Sequence, residues 1–203
     1  MNVLAHLHIA SIANSSIIGN IGADFIKGDP YKQFNATIAD GIMLHRRLDH
    51  LIDHITQVKQ AKLLFIPEHQ RVAPITLDII WDHFLSLHWH DPQLQPHHIH
   101  TEIVQKSVAQ FNSETQNIIK QDITLFPNEF ADFMAHLWQY HWLENYADVD
   151  FIARVLNGMA NRYPKLSMLR HTFADFKAHY NDFEQLFFQF YPELITQAEQ
   201  QIL

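Results

Sequence analysis

The sequence contains no cysteine and is poor in glycine and in basic residues. Its 203 residues include 5 Gly, and 14 Lys and Arg stand against 22 Asp and Glu, for a net charge of −8. Without cysteine there are no disulfide bonds and no thiolate-ligated zinc or iron–sulfur clusters, so any metal must bind through His, Asp or Glu. The acidic balance argues against a general nucleic-acid binder, whose surface is basic overall.

The sequence also lacks a long apolar run. Residues 1–28 have no basic start, no uninterrupted apolar stretch and no small-residue cleavage site, so they do not resemble a signal peptide. No segment approaches the run of about 18 apolar residues that indicates a membrane span. We therefore expect no membrane association and a cytoplasmic location.

Apolar residues are nevertheless plentiful, and they recur at helical spacing. The chain is 47% hydrophobic and contains 15 Phe, enough for one core, and its length favours a single domain over residues 1–203. Intervals of three and four residues between apolar positions occur in nearly every window, whereas alternating β-branched runs are scarce. The sequence therefore predicts an all-α protein folded as one compact helical bundle.

Proline, glycine and capping residues divide the chain into predicted helices. Ser15 or Ser16 is a typical cap for the second helix, and Pro74 fits the first turn of a later one, where a missing N–H costs little. The predicted helices cover residues 2–13, 15–27, 36–57, a segment beginning near Pro74, and 97–120. The cluster "HHIH", at His97, His98 and His100, follows two prolines and is predicted to be a loop or helix start, not a set of metal ligands.

Polar residues on apolar faces are the candidates for chemistry. In "MLHRRLDHLID", residues 43–53, His45 and Asp49 are four residues apart and share a helix face, and Asp53 continues the row one turn later. "LDIIWDHF" repeats this spacing with Asp78 and Asp82. A buried carboxylate without a partner is very costly, so a cation or arginines must compensate these acids.

Two further segments offer ligands of the same type. Asp24 follows Gly19 and Gly22, which weaken a helix by up to about 1 kcal/mol each relative to alanine and so indicate a close backbone approach. His6 and His8 lie in the apolar segment "NVLAHLHIA", where at least one of them is expected to face inward.

Each feature alone also has a structural interpretation. His45 and Asp49 fit a solvated helix face, and Asp78 and Asp82 fit a helix cap and an ion-pair partner for an arginine. Together, three helical segments with carboxylate or imidazole groups fit a hard divalent ion, with imidazole favouring Mn²⁺ over Mg²⁺. Such an ion suits phosphoryl chemistry, with Arg46 or Arg47 offsetting the transition-state charge.

Several segments, in order along the chain, resemble the acyl carrier protein phosphodiesterase family. They are "MNVLAHLHIA", "SSIIGNIGADFIKG", "GIMLHRRLDHLID", "RVAPITLDIIWDHFLSLHW", "DFIARVLNGMANR" and "FFQFYPELI". This family is distantly similar to HD-type metal-dependent phosphohydrolases, which are all-helical with His and Asp ligands. The resemblance implies an HD-domain-like fold, Mn²⁺ and hydrolysis of the phosphodiester that links 4′-phosphopantetheine to a serine of holo-acyl carrier protein.

The resemblance also leads to a set of predicted site residues. The predicted metal ligands are His45, Asp49, Asp82, Asp24, His6 and His83. Asp24 or Asp78 is expected to orient or deprotonate the attacking water, and Arg46 to contact the phosphate. The adjacent His-Asp dipeptide of HD proteins is absent, and Asp82-His83 stands in reversed order. Asp53, His50 and His54 are predicted to face solvent.

Acyl carrier proteins are strongly acidic, so a docking surface on this acidic chain has to be locally basic. No acidic residue occurs between Asp150 and Asp175, and the basic residues within that segment are Arg154, Arg162, Lys165 and Arg170. We predict that they bind the carrier protein, the alternative being an ordinary solvated face. A phosphohydrolase of nucleotides or small phosphodiesters, and a non-enzymatic helical binding module, remain open as other functions.

Overall fold

The computed structural model describes residues 1–96 and 106–203. The cluster at His97, His98 and His100 and the start of the helix predicted over 97–120 lie outside the described residues. The helices are α1 Val3–Ile12, α2 Ile17–Ile21, α3 Ala36–His54, α4 Thr56–Lys62, α5 Ala73–Leu87, α6 Val108–Asp122, α7 Asn128–Gln139, α8 Trp142–Asn145, α9 Val149–Arg162, α10 Leu169–Ala178 and α11 Tyr180–Glu199. No β-strand occurs in these two ranges, which confirms the all-α class.

The first helix lies in the middle of the molecule. Nine of the ten residues of α1 are buried, including both His6 and His8, and the helix contacts α2, α5 and α11. His8 Nδ1 lies 3.1 Å from the Tyr191 hydroxyl, and burial lowers the pKa of His8 to about 3. His8 is therefore a neutral packing residue, which leaves His6 as the inward histidine available for chemistry.

The second helix is shorter than the prediction of residues 15–27. Ser16 caps it by accepting a hydrogen bond from the Gly19 amide, but α2 ends at Ile21 and a single 3₁₀ turn, Ala23–Phe25, follows. The Phe126 ring packs so closely on Gly22 that a Cβ there would lie 2.3 Å from it. The chain therefore turns at this glycine, and the turn contains Asp24.

The helices α2 and α3 cross with their backbones almost in contact. A Cβ on Gly19 would lie 2.3 Å from the carbonyl oxygen of Ile38, and one on Gly41 would lie 2.7 Å from that of Ser16. Both distances are far below van der Waals contact, so only glycine allows this crossing. The crossing brings the turn after α2 beside α3, which confirms the close approach predicted near Asp24.

The predicted helix over residues 36–57 is interrupted near its end. Asn35 caps α3 at the Ile38 amide, and α3 ends at His54 because Ile55 adopts an extended conformation before α4 begins.

Pro74 lies in the first turn of α5, as predicted. The buried side chains form one cluster that draws on helices from α1 to α11. Among the described residues, no helix is both long enough and apolar enough to span a membrane.

The crossing gives a stability prediction with a matched control. We expect Gly19→Ala to lower the free energy of unfolding by about 1–3 kcal/mol, because the new methyl group overlaps a backbone carbonyl that cannot move alone. At Gly158 an added Cβ has no neighbouring atom within 4 Å. Gly158→Ala should therefore raise the free energy of unfolding by about 0.5–1 kcal/mol, because alanine has the higher helix propensity. Urea unfolding of both variants measures the difference, and equal stabilities would contradict the close crossing.

Candidate metal centre

A carboxylate between two histidines forms the centre of the candidate site. In α3, Asp49 lies one turn after His45, and its Oδ2 is 3.1 Å from His45 Nε2. Its Oδ1 is 3.1 Å from Nε2 of His6, which reaches across from α1. The two imidazole rings stack at 3.9 Å between centroids. Ligand atoms of all three residues lie within 4.8 Å of one another.

Asp24 approaches this cluster from the solvent side. Its Oδ1 lies 3.2 Å from His45 Nε2, and its side chain is 77% exposed. Arg46 fixes the loop that follows by donating to the carbonyl oxygens of Ile26, at 2.7 Å, and Gly28, at 2.9 Å. These described partners of Arg46 are backbone groups, so its contact with phosphate stays a prediction.

Asn20 orients one of the two imidazoles. Its side-chain oxygen lies 3.1 Å from Nδ1 of His6, and Asn20 is fully buried. Because an amide oxygen only accepts, Nδ1–H of His6 donates to it, which leaves Nε2 as the ring nitrogen that can bind a metal ion. Asn20 is missing from the sequence prediction, although a polar residue inside the apolar segment "IIGNIG" is a recognisable signal.

The histidines differ in their protonation. Burial lowers the pKa of His6 to about 4, so this imidazole is neutral near pH 7. Burial opposes charge on His45 too, but its hydrogen bonds to Asp24 and Asp49 raise the pKa to about 9. The His45 hydrogen bond lowers the pKa of Asp24. Burial raises the pKa of Asp49, but the His45 hydrogen bond and the charge of the Met1 ammonium lower it further than burial raises it. Both carboxylates are therefore ionised near neutral pH.

A second acid, Asp78, joins the cluster through the amino group of Met1. This ammonium lies 3.2 Å from Asp49 Oδ1 and 3.1 Å from Asp78 Oδ1. Burial alone would lower the pKa of the ammonium, but the two carboxylates raise it to about 10. Burial raises the pKa of Asp78. A cavity of about 160 Å³ borders Met1, Asp49 and Asp78.

The structure does not bring Asp82 or His83 to the cluster. The fully buried Asp82 carboxylate accepts the amide hydrogens of Leu4, at 2.8 Å, and Ala5, at 2.9 Å, and so caps the start of α1. Burial raises the pKa of Asp82 to about 7, although the two backbone hydrogen bonds lower it. Both ring nitrogens of His83 have hydrogen-bond partners. Nδ1 lies 2.7 Å from the carbonyl oxygen of Tyr146, and Nε2 lies 2.9 Å from the hydroxyl of Tyr180. This placement gives both residues structural contacts and does not support their prediction as metal ligands.

The residues predicted to face solvent do so. Asp53 forms an ion pair with Lys62 at 3.2 Å, and both Asp53 and the neighbouring His50 are exposed. His54 Nδ1 lies 2.7 Å from the His50 carbonyl oxygen. Along this helix the titratable side chains therefore change from buried at His45 to exposed at His50, Asp53 and His54.

The donor set fits a divalent ion. Two imidazole nitrogens and one carboxylate converge, and Asp24 lies beside them. The chain has no cysteine and so no thiolate ligand. Mixed nitrogen and oxygen ligands suit ions such as Mn²⁺ better than Ca²⁺, which prefers oxygen alone. Fold and site together define an all-α protein with a candidate histidine–aspartate metal centre.

Sequence comparisons identify the family. The sequence model of the family "Acyl carrier protein phosphodiesterase" matches residues 1–194. Proteins of that name from Serratia proteamaculans and Photorhabdus laumondii are 44% and 47% identical over 199 residues, covering 98% of this chain and 98% and 96% of theirs. A third, from Salmonella dublin, is 43% identical over the full length of both chains. The chain belongs to the acyl carrier protein phosphodiesterase family.

No solved structure matches the chain. The HD-domain likeness of its fold therefore stays a prediction.

The capping role of Asp82 is testable. We expect Asp82→Asn to lower the free energy of unfolding by about 1–3 kcal/mol, because the amide nitrogen of Asn cannot accept and leaves one α1 amide unpaired. Asp53→Asn removes an exposed carboxylate and should change stability by less than about 0.5 kcal/mol. Thermal and urea unfolding report stability, and calorimetric titration with Mn²⁺ reports metal binding. Unchanged stability with lost Mn²⁺ binding would instead make Asp82 a ligand.

Proposed function

We propose that this chain hydrolyses the phosphodiester between 4′-phosphopantetheine and the serine of holo-acyl carrier protein, giving apo-carrier protein and 4′-phosphopantetheine. The observation that carries the proposal is the convergence of His6, His45 and Asp49 in a chain whose family membership spans residues 1–194. We propose that residues 1–203 form a single helical domain that carries this activity. A cytoplasmic location is part of the same proposal.

The proposed cofactor is Mn²⁺, with Mg²⁺ as the alternative. His6 and His45 would hold it through Nε2, with His45 losing its proton to solvent as the ion binds, and Asp49 would hold it through its carboxylate. When bound, such an ion polarises phosphoryl oxygens and lowers the pKa of a coordinated water. Asn20 keeps the His6 ring in the required orientation, and the low pKa of His6 keeps that ring neutral and able to ligate.

Asp24 is the residue that we propose for handling the attacking water. Its carboxylate is ionised, exposed to solvent and adjacent to the cluster, whereas Asp78 is engaged with the Met1 ammonium. The water oxygen forms a bond to phosphorus while the bond from phosphorus to the serine oxygen breaks. One water proton passes to Asp24, and the serine oxygen leaves as a hydroxyl after it takes a proton from solvent, to which the exposed Asp24 returns its own. Arg46 holds the loop that positions Asp24.

The basic segment is proposed to bind the acidic partner. Arg154, Arg162, Lys165 and Arg170 are all exposed. Arg154 pairs with Asp148 at 3.0 Å, but an exposed ion pair of this kind contributes only about 0–1 kcal/mol and exchanges readily. Cations that are accessible on one segment favour encounter with a strongly negative protein, and salt weakens that attraction.

The metal centre leads to an activity prediction. We expect Asp49→Ala and His45→Ala to lose Mn²⁺ binding and to reduce kcat on holo-carrier protein at least 10³-fold, on the order of what removing one key electrostatic group costs. Asp24→Ala should reduce kcat by about 10²–10⁴-fold with Mn²⁺ binding largely kept. Release of phosphopantetheine, followed by mass spectrometry with and without Mn²⁺, measures these changes.

Asp53→Ala is the matched control, because Asp53 lies on the same helix as Asp49 but faces solvent. Its activity should equal that of the wild type. No metal binding and no effect of Asp24→Ala or Asp49→Ala would favour the non-enzymatic binding module. Hydrolysis of small phosphodiesters without conversion of holo-carrier protein would favour the other phosphohydrolase function.

The docking surface leads to a separate prediction. We expect the double variant Arg162→Glu and Lys165→Glu to raise KM for holo-carrier protein at least about tenfold, because each reversal turns attraction into repulsion. Lys32→Glu reverses one charge on a side chain that is 83% exposed in another part of the chain, and should have little effect. Kinetics at low and high salt measure both. Equal losses on carrier protein and on a small phosphodiester would refute docking.

A further inference from the structure

An open groove lies along α9. It has a volume of about 450 Å³, and its other wall is formed by the end of α7 and by α8. Apolar and aromatic side chains dominate its lining, chiefly Tyr140, Trp142, Phe151, Val155, Met159 and Tyr163. Tyr140 and Tyr163 are each 50% exposed, so the groove presents large apolar surfaces to solvent.

Gly158 is an exposed residue in the lining of this groove, and no neighbouring group packs against the position that a side chain would occupy. A Cβ at this position would meet nothing within 4 Å, in contrast to Gly19, Gly22 and Gly41, where a Cβ would collide with neighbouring atoms. Glycine inside a helix costs about 0.5–1 kcal/mol relative to alanine. The bare backbone at Gly158 therefore weakens α9 and leaves room for a group from outside the chain.

Two arginines flank this glycine on the same helix face. Arg154, Gly158 and Arg162 follow each other at intervals of four residues, so the two arginines stand about 12 Å apart along the helix axis, with the glycine midway. Both arginines also line the groove. The groove is thus an apolar depression between two cationic groups, which complements a negatively charged surface that presents an apolar side chain.

The groove is connected to the metal centre through packed aromatic rings. The Phe25 ring, next to Asp24 in the sequence, lies 5.7 Å from Phe133, whose ring lies 6.4 Å from that of Trp142 in the groove wall. On the other side, Tyr146 accepts a hydrogen bond from the Asn2 side chain at 2.7 Å, and its ring packs against Phe151 in the groove. The groove wall is therefore in packing contact, through these intermediate side chains, with the segments that contain Asp24 and Asn2.

We infer that this groove docks the acidic carrier protein itself, with one apolar side chain of the partner over Gly158 and acidic side chains at Arg154 and Arg162. The inference rests on the proposed function, which supplies an acidic protein substrate. Charge complementarity selects this occupant, since two arginines at the rim favour an anionic protein surface over a neutral one. The groove adds an apolar anchor to the charges of the basic segment.

Binding of apo-carrier protein tests this inference, because the apo form lacks the phosphopantetheine arm and reports protein docking alone. Fluorescently labelled apo-carrier protein is titrated with the wild-type chain and with Gly158→Leu, and anisotropy gives Kd. Leucine at this position fills this part of the groove and excludes the partner's side chain. We expect Kd to rise about tenfold or more, since burial of one large apolar side chain contributes enough for that change.

The matched control is Asn157→Leu, which introduces the same side chain one residue away on α9, at an exposed position that does not line the groove. Its Kd should equal that of the wild type. Tyr163→Ala, which removes part of the groove wall without adding bulk, should also weaken binding. Thermal unfolding of each variant establishes that it is folded.

Wild-type affinity in Gly158→Leu and Tyr163→Ala would overturn the inference, and so would no binding of apo-carrier protein to the wild-type chain. A loss confined to acylated carrier protein, with apo-carrier binding intact, would assign the groove to the acyl chain and overturn docking. Binding without any hydrolysis of holo-carrier protein by the wild-type chain would refute the proposed function, yet the comparison of Kd values would still decide the role of the groove.

Discussion

The carboxylate of Asp49 is the group on which the candidate site depends. It lies within 3.2 Å of His6, His45 and the Met1 ammonium, which come from two separate parts of the chain, the N-terminal segment and α3. A partly buried carboxylate needs such partners, because its charge is costly away from water unless opposite charges or hydrogen-bond donors replace the lost solvation. Once His45 has lost its proton, the two imidazoles and this carboxylate form the ligand set that a divalent ion requires. The arrangement of His45 around the Asp49 carboxylate therefore stabilises its charge without an ion, and the same arrangement can bind an ion.

The surrounding fold keeps that geometry in place through contacts far from any chemistry. Asp82 caps the first turn of α1 and so fixes the helix that carries His6. Gly19 and Gly41 let α2 cross α3 at backbone contact, which places the turn containing Asp24 beside His45. A helix cap and a close crossing thus align three chain segments to within hydrogen-bond distance, the precision that a catalytic site needs.

Much of this architecture can be read from the sequence, and the exceptions have a common cause. The all-α class, the Ser16 cap, the position of Pro74 and the pairing of His45 with Asp49 follow from local rules of spacing and capping, and the structure agrees with each. Asp82 has the same spacing from Asp78 as Asp49 has from His45, and the sequence predicts that it is a metal ligand. Spacing cannot tell a ligand from a cap, because the distinction depends on which helix packs against that carboxylate.

By itself the sequence determined the helical class, the absence of thiolate ligands and the side-by-side placement of His45 and Asp49, because composition and a periodicity of 3.6 residues act within one segment. Only the tertiary structure decided that Asn20 joins His6 in the cluster, that Asp82 caps α1, and that Gly158 lies open in a groove. These outcomes depend on contacts between residues up to 78 positions apart. Helix packing creates such contacts, and no local pattern encodes their geometry.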